Sequence, residues 1–97
     1  MPTPLTIVAT IQALPGYEND VEKALLEVIP PTLAESGCIQ YDLHRDLQKT
    51  GLFLFYENWS TREEWDAHMD SAHLAAMNKA TEGKQEDTVI YQMTKVD

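Results

Sequence analysis

At 97 residues the chain has room for one domain, spanning 1–97, whose small core would gain from pairing with a second copy. Its apolar fraction of 43% and charged fraction of 24% are those of a globular protein. A net charge of −9, with no Lys/Arg cluster to offset it, repels phosphate backbones and anionic headgroups, which argues against nucleic acid and membrane surfaces as partners.

Leu5 to Ala13 alternates Leu5, Ile7, Ala9, Ile11 and Ala13 on one face with Thr6, Val8, Thr10 and Gln12 on the other, the period of a half-buried strand. Pro15-Gly16 ends it. A helix is expected from Glu18 to Glu35, with Val21, Ala24, Leu25, Val28, Ile29 and Leu33 in one apolar stripe. Pro30-Pro31 should break or kink it, because proline lacks the backbone donor and clashes with the preceding turn. A further short turn should follow before Ser36-Gly37 closes the segment.

Cys38 to Leu47 alternates again, Ile39, Tyr41 and Leu43 against Gln40, Asp42 and His44. Lys49-Thr50-Gly51 reads as a hairpin turn, and Leu52 to Trp59 returns as the most apolar strand. Ser60 and Thr61, three residues before Glu63 and Glu64, form a capping-box signature that opens a second helix. Trp65, His68, Met69, Ala72 and Ala76 share one of its faces, with a bend expected near Ser71. Gly83 ends it, and Thr88 to Val96 supplies the last strand.

This order makes an α+β chain of the ferredoxin-like type, β-α-β-β-α-β, an antiparallel sheet with both helices on one face. The sheet's other face would carry Val8, Tyr91 and one residue from each of the pairs Phe53/Leu54 and Phe55/Tyr56. That is too apolar to leave wet, and a second copy is the simplest cover, so a homodimer is expected. Cys38 is the sole cysteine, which rules out an internal disulfide or a thiolate metal cage. With no basic, apolar leader at the start and no ~20-residue apolar run, a cytoplasmic protein is expected. No H-E-x-x-H, G-x-S-x-G, phosphate loop or dinucleotide fingerprint occurs, so no metal is expected either.

Gly37-Cys38, Tyr41-Asp42-Leu43-His44, Tyr56-Glu57-Asn58-Trp59, and His68 with Ser71 and His73 form a recognisable series. The stretch YENWSTREEWDAHMDSAHLAAM resembles the antibiotic biosynthesis monooxygenase domain family, which includes small quinol monooxygenases, and the likeness runs through almost the whole chain. It implies a dimeric α+β barrel whose sheets meet face to face. It also implies a cofactor-free monooxygenase that oxidises a small quinol or polycyclic phenol with O2. Such chemistry needs little apparatus, since an electron-rich phenolate can itself donate an electron to oxygen. The protein has to bind a flat aromatic, exclude water and favour the anion. Alternatives on the same fold are an isomerase or degrader of a small signalling metabolite, and a non-catalytic dimeric binding protein. In the last case Trp65, Phe53 and Phe55 would fill the space beside His68. The haem-degrading branch of the superfamily uses an asparagine on the first strand; none stands there, so haem is not expected.

Among individual residues His68 leads, one turn after Trp65 on an apolar helix face and suited to proton removal by a reference pKa of ~6.5. Glu57, on the most apolar strand, is expected to point into the pocket and to orient His68 by a hydrogen bond. These two are the catalytic candidates. Trp65, Trp59, Tyr41, Tyr56, Asn58 and His73 are the substrate-binding candidates, although Asn58 projects opposite to Glu57 and Trp59, so only one of those sets can line the pocket. His73 lies five positions after His68, roughly 140° around an ideal helix, and could share a metal with it only if the helix breaks. His44 is expected at the solvent or dimer face, and Cys38 as a small buried hydrophobe.

Overall fold

A computed structural model describes residues 4–97. Strands β1 (Leu5–Gln12) and β3 (Leu52–Trp59) pair antiparallel at the centre of a four-stranded sheet. β2 (Cys38–Arg45) flanks β3 and β4 (Val89–Met93) flanks β1, both antiparallel, giving the order β2-β3-β1-β4. This is the ferredoxin-like topology that the alternation of strand and helix predicts.

Strand alternation decides which residues meet the helices. Ile7, Ala9 and Ile11 of β1 and Phe53, Phe55 and Trp59 of β3 join Val21, Leu25, Trp65 and Leu74 of the helices in one buried cluster. Leu54 and Tyr56 are therefore the outward members of their pairs, beside Val8 and Tyr91 in the cross-strand register. That outer face holds Tyr56, Val89, Tyr91 and Met93 with more than a third of each exposed.

The first helical segment splits earlier than its prolines suggest. α1 (Glu18–Glu27) ends at Val28, and α2 (Ile29–Leu33) takes both prolines into its opening turn. Proline costs least there, because first-turn amides have no intrahelical acceptor. The carbonyls that Pro30 and Pro31 cannot reach belong to Leu26 and Glu27, both on the wet side. The split also turns the stripe, so that Thr32 is buried and bonded to the Val28 carbonyl at 2.7 Å, while Leu33 is exposed.

The second helical segment breaks where expected. α3 (Arg62–Met69) ends at Asp70, and Ser71 caps α4 (Ala72–Thr81) by accepting from the Leu74 amide at 3.2 Å. This break corrects the single apolar face read from the sequence. Trp65 and His68 are buried, but past Ser71 the inward position falls to Leu74, leaving Ala72 and Ala76 exposed. Strand ends are shorter than the alternation suggests, at Arg45 for β2 and Met93 for β4. No helix among the described residues is long and apolar enough to cross a membrane.

The capping box at α3 does more than start a helix. The Glu64 amide donates to Thr61 Oγ1 at 3.1 Å, and the Glu64 carboxylate accepts from Thr61, from Ser60, and from Ser36 at 2.7 Å across the chain. It thus fastens α3 to the loop that leads into β2. Gly37 in that loop has φ of +84°, and a Cβ there would run into the Glu64 carboxylate. Gly37→Ala should therefore lower stability by about 2 kcal/mol or more, combining the left-handed penalty with loss of those bonds. The urea midpoint reads this. Gly16→Ala, where φ is +90° and nothing lies within 4 Å, should cost only the backbone share.

Candidate functional site

Glu57 is the first unusual residue. It follows Phe55 and precedes Trp59 on the covered face of β3, so alternation carries a carboxyl into the apolar core, where it is 4% exposed. The Trp59 indole, fully buried, donates from Nε1 to Glu57 Oε1 at 2.9 Å. Burial pushes the Glu57 carboxyl from its ordinary 4.5 up to about 7, against the pull of the Trp59 bond and with a further push from the charge of Glu35.

His68 is the second. It is 2% exposed on α3, with its ring 4.8 Å from that of Trp59 and edge-on to Tyr41 at 5.5 Å. Burial holds the imidazole below its ordinary value and therefore neutral at pH 7, although the Glu35 hydrogen bond pulls the other way. His68 Nδ1 lies 2.6 Å from Glu35 Oε2, which places the ring proton on Nδ1 and leaves Nε2 as an acceptor.

Glu35 corrects the sequence expectation. The hydrogen bond from Glu57 to His68 is not formed; the orienting carboxylate is Glu35, in the loop between α2 and β2. His73 Nε2 reaches the same Glu35 oxygen at 2.7 Å. The sequence carried a weak signal for Glu35, an acid just before the helix-ending Ser36-Gly37, but nothing to connect it with residues more than thirty positions away.

Glu57 and His68 open onto one hollow of about 210 Å³ between sheet and helices, walled by Tyr41, Phe55, Trp65, Leu74, Met77 and Ile90. Tyr41 and Trp65 thus stand where substrate contact was expected. Burial raises the Tyr41 phenol well above its ordinary value, so it stays protonated. Trp59 is behind the wall, supporting Glu57 and His68. Tyr56 and Asn58 face away, Asn58 accepting from Thr6 at 2.6 Å and donating to Gln40 at 2.8 Å. His73 also stands outside the hollow, toward α1. His44 is exposed, and Cys38 is partly buried with its thiol pushed up by that burial. Two wider grooves of about 510 and 580 Å³ lie on the outer sheet face. They are open and carry no buried titratable group, so the smaller hollow is the better chemical site.

The sheet is ferredoxin-like with two buried titratable groups beneath its helices, and the chain belongs to the antibiotic biosynthesis monooxygenase family, whose model matches residues 4–80. Among solved structures, PA3566 of Pseudomonas aeruginosa superposes with a TM-score of 0.94 at 34% identity, covering 100% of this chain and 98% of that one. A protein described as an antibiotic biosynthesis monooxygenase superposes at 0.89 with 26% identity, covering 96% and 99%. In sequence, the monooxygenase candidate Rv0793 of Mycobacterium tuberculosis is 33% identical over 73 residues, 75% of this chain and 71% of its own. An uncharacterised Synechocystis protein, sll1783, is 27% identical over 71 residues, and the match spans only 48% of its length against 73% of this chain.

The raised Glu57 carboxyl has a measurable consequence. Between pH 4.5 and about 7 the folded chain keeps a proton that the unfolded chain has released, so this group's contribution falls as pH rises through that window. His68 acts oppositely, costing stability as pH falls below its ordinary 6.5, because the folded state resists the proton. Glu57→Gln keeps an acceptor for Trp59 but cannot ionise, and comparison with the parent cancels the His68 contribution. The variant should gain up to about 3 kcal/mol relative to the parent between roughly pH 5 and pH 8. Paired urea denaturations at the two pH values check it; a difference independent of pH would leave Glu57 with an ordinary carboxyl.

Proposed function

We propose that the chain is a cofactor-independent monooxygenase that oxidises a small phenol or quinol with O2. In this reading His68 Nε2 takes the phenolic proton and Glu57 serves as a second acid–base group. The observation that carries it is the hollow itself: an apolar, aromatic-walled space into which two buried titratable side chains open. Its volume of about 210 Å³ is below the roughly 300 Å³ at which drug-sized pockets begin, which favours a one- or two-ring phenol over a larger polycycle.

The chemistry balances without a reductant. Proton transfer to His68 leaves a phenolate, which passes one electron to O2, and the resulting radicals combine as a peroxide. Loss of water then puts one oxygen atom in the product and the other in water, with all four electrons drawn from the substrate. A neutral imidazole is the form needed to accept the proton, and Glu57, balanced near pH 7, can donate to the departing oxygen. The rival in which side chains fill the space beside His68 is disfavoured by the hollow. A single cysteine with a free thiol suits a reducing cytoplasm.

Oxygen uptake with a panel of hydroquinones and naphthols tests the reading. The parent should exceed the spontaneous rate, and His68→Ala should lose about 10²–10⁴-fold of it. Turnover of a panel compound without oxygen consumption would favour an isomerase on the same groups, and full activity in His68→Ala would remove its role.

A homodimer belongs to the same proposal. Leu54, Tyr56, Val89, Tyr91 and Met93 give the outer sheet face an apolar surface that a second copy would cover. Light scattering should give twice the chain mass for the parent. Leu54→Lys with Tyr91→Lys should give one chain mass at unchanged secondary structure, since two added charges per copy cannot be buried together.

A further inference from the structure

Outside the hollow, the most unusual cluster is the group that holds His68 from behind. Glu35, His68 and His73 come from the α2–β2 loop, α3 and α4, and each offers one ligand atom, all within 4.8 Å of one another. Both histidine nitrogens are directed at the same carboxylate oxygen, at 2.6 and 2.7 Å. A continuous helix would separate two histidines five positions apart by roughly 140°. The break at Asp70–Ser71 removes that obstacle.

We infer that Glu35, His68 and His73 form a binding site for a divalent transition-metal cation, of which Zn2+ is the representative. Two imidazoles and one carboxylate suit Zn2+, Co2+, Ni2+ or Fe2+ and not the oxygen-seeking Mg2+ or Ca2+. Metal–ligand bonds of ~2.0–2.1 Å require donor atoms ~3.3 Å apart in a tetrahedral site. The present spacing therefore needs an adjustment on the order of an ångström. That adjustment falls on Glu35 and His73, the partly exposed members, 16% and 24% accessible against 2% for His68. The same exposure gives an ion its route from solvent, and water would complete the coordination. Two hydrogen bonds to one carboxylate hold the donors together in the absence of an ion, so binding exchanges them for metal bonds and does not have to assemble the site.

Loading would change His68 itself. With Glu35 as partner, Nδ1 carries the proton and Nε2 is free to accept one. A cation on Nδ1 displaces that proton, and the neutral ring then carries its hydrogen on Nε2, toward the hollow. On the proposed monooxygenase reading the loaded chain loses its base, and the cation is an inhibitor.

The test begins with chelator-stripped chain titrated with Zn2+ by calorimetry and with Co2+ by visible absorption. One ion per chain and intense tetrahedral Co2+ bands are expected. Glu35→Gln and His73→Ala should each weaken binding by at least about 10-fold, while His44→Ala, on the outer sheet face, binds as the parent does. In histidine 15N spectra His68 should pass from the Nδ1–H to the Nε2–H tautomer as Zn2+ is added. Absence of a stoichiometric site, or equal affinity in the parent and both ligand variants, would overturn the inference. If the parent consumes oxygen, Zn2+ should suppress uptake and chelation restore it. A parent that consumes none counts against the monooxygenase reading alone, because the titrations and tautomer decide the metal site independently.

Discussion

The indole of Trp59 is the contact on which the rest of the site depends. Its N–H donates to Glu57 and its ring packs against His68, so one fully buried side chain holds both titratable groups. Without that donor, Glu57 Oε1 would sit in the core with no partner, a cost of about 1–3 kcal/mol even for a neutral group. The indole also explains why the carboxyl rises no further than about 7, since its hydrogen bond favours the charged form against burial. Alternation forces the juxtaposition: positions 57 and 59 of one strand must share a face, and that face is the covered one.

Burying a carboxyl this way is expensive. Holding Glu57 ionised above pH 7 costs the fold on the order of 3 kcal/mol, a large share of the ~5–15 kcal/mol that stabilises a domain. Leucine would fill the position more cheaply. A buried acid whose carboxyl is pushed up this far marks a candidate working group, and the buried, perturbed imidazole of His68 sets it apart from the neighbouring Leu74 in the same way. The helix break at Ser71 adds to this. A straight helix would give Ala72 and Ala76 the buried face; the cap instead moves the inward position to Leu74 and swings His73 toward Glu35.

Much of this was legible in the residue pattern. Period-two alternation located β1, β2 and β4, an apolar run after a hairpin turn located β3, and the capping box at Ser60-Thr61 located the start of α3, because these signals are local. The side of the sheet facing the helices was not legible for β3, where both faces are apolar; only pairing with β1, whose odd positions are purely hydrophobic, fixes Glu57 inside and Asn58 outside. The prolines misled slightly, since a proline is costly inside a helix and cheap in its first turn, and the sequence does not mark where the new turn begins. Glu35 was out of reach for a different reason. Its partners are 33 and 38 positions away, and nothing periodic links a loop carboxylate to two helical histidines.

The two perturbed groups are best understood together. Burial shifts both toward the uncharged form, which raises the carboxyl and lowers the imidazole. A phenol that gives its proton to His68 creates an anion and an imidazolium inside the hollow, with Glu35 behind the ring to balance the cation. A charged Glu57 would oppose the phenolate, whereas a protonated Glu57 could donate to it. On the proposed reading, a carboxyl with its midpoint at about 7, present in both forms at neutral pH, would let the hollow stabilise the anion at one step and accept a proton at the next. The largely apolar walls lower the local dielectric and so strengthen each of these interactions. Desolvation that weakens the fold is, on the proposed reading, what would fit two ordinary side chains for proton transfer at neutral pH.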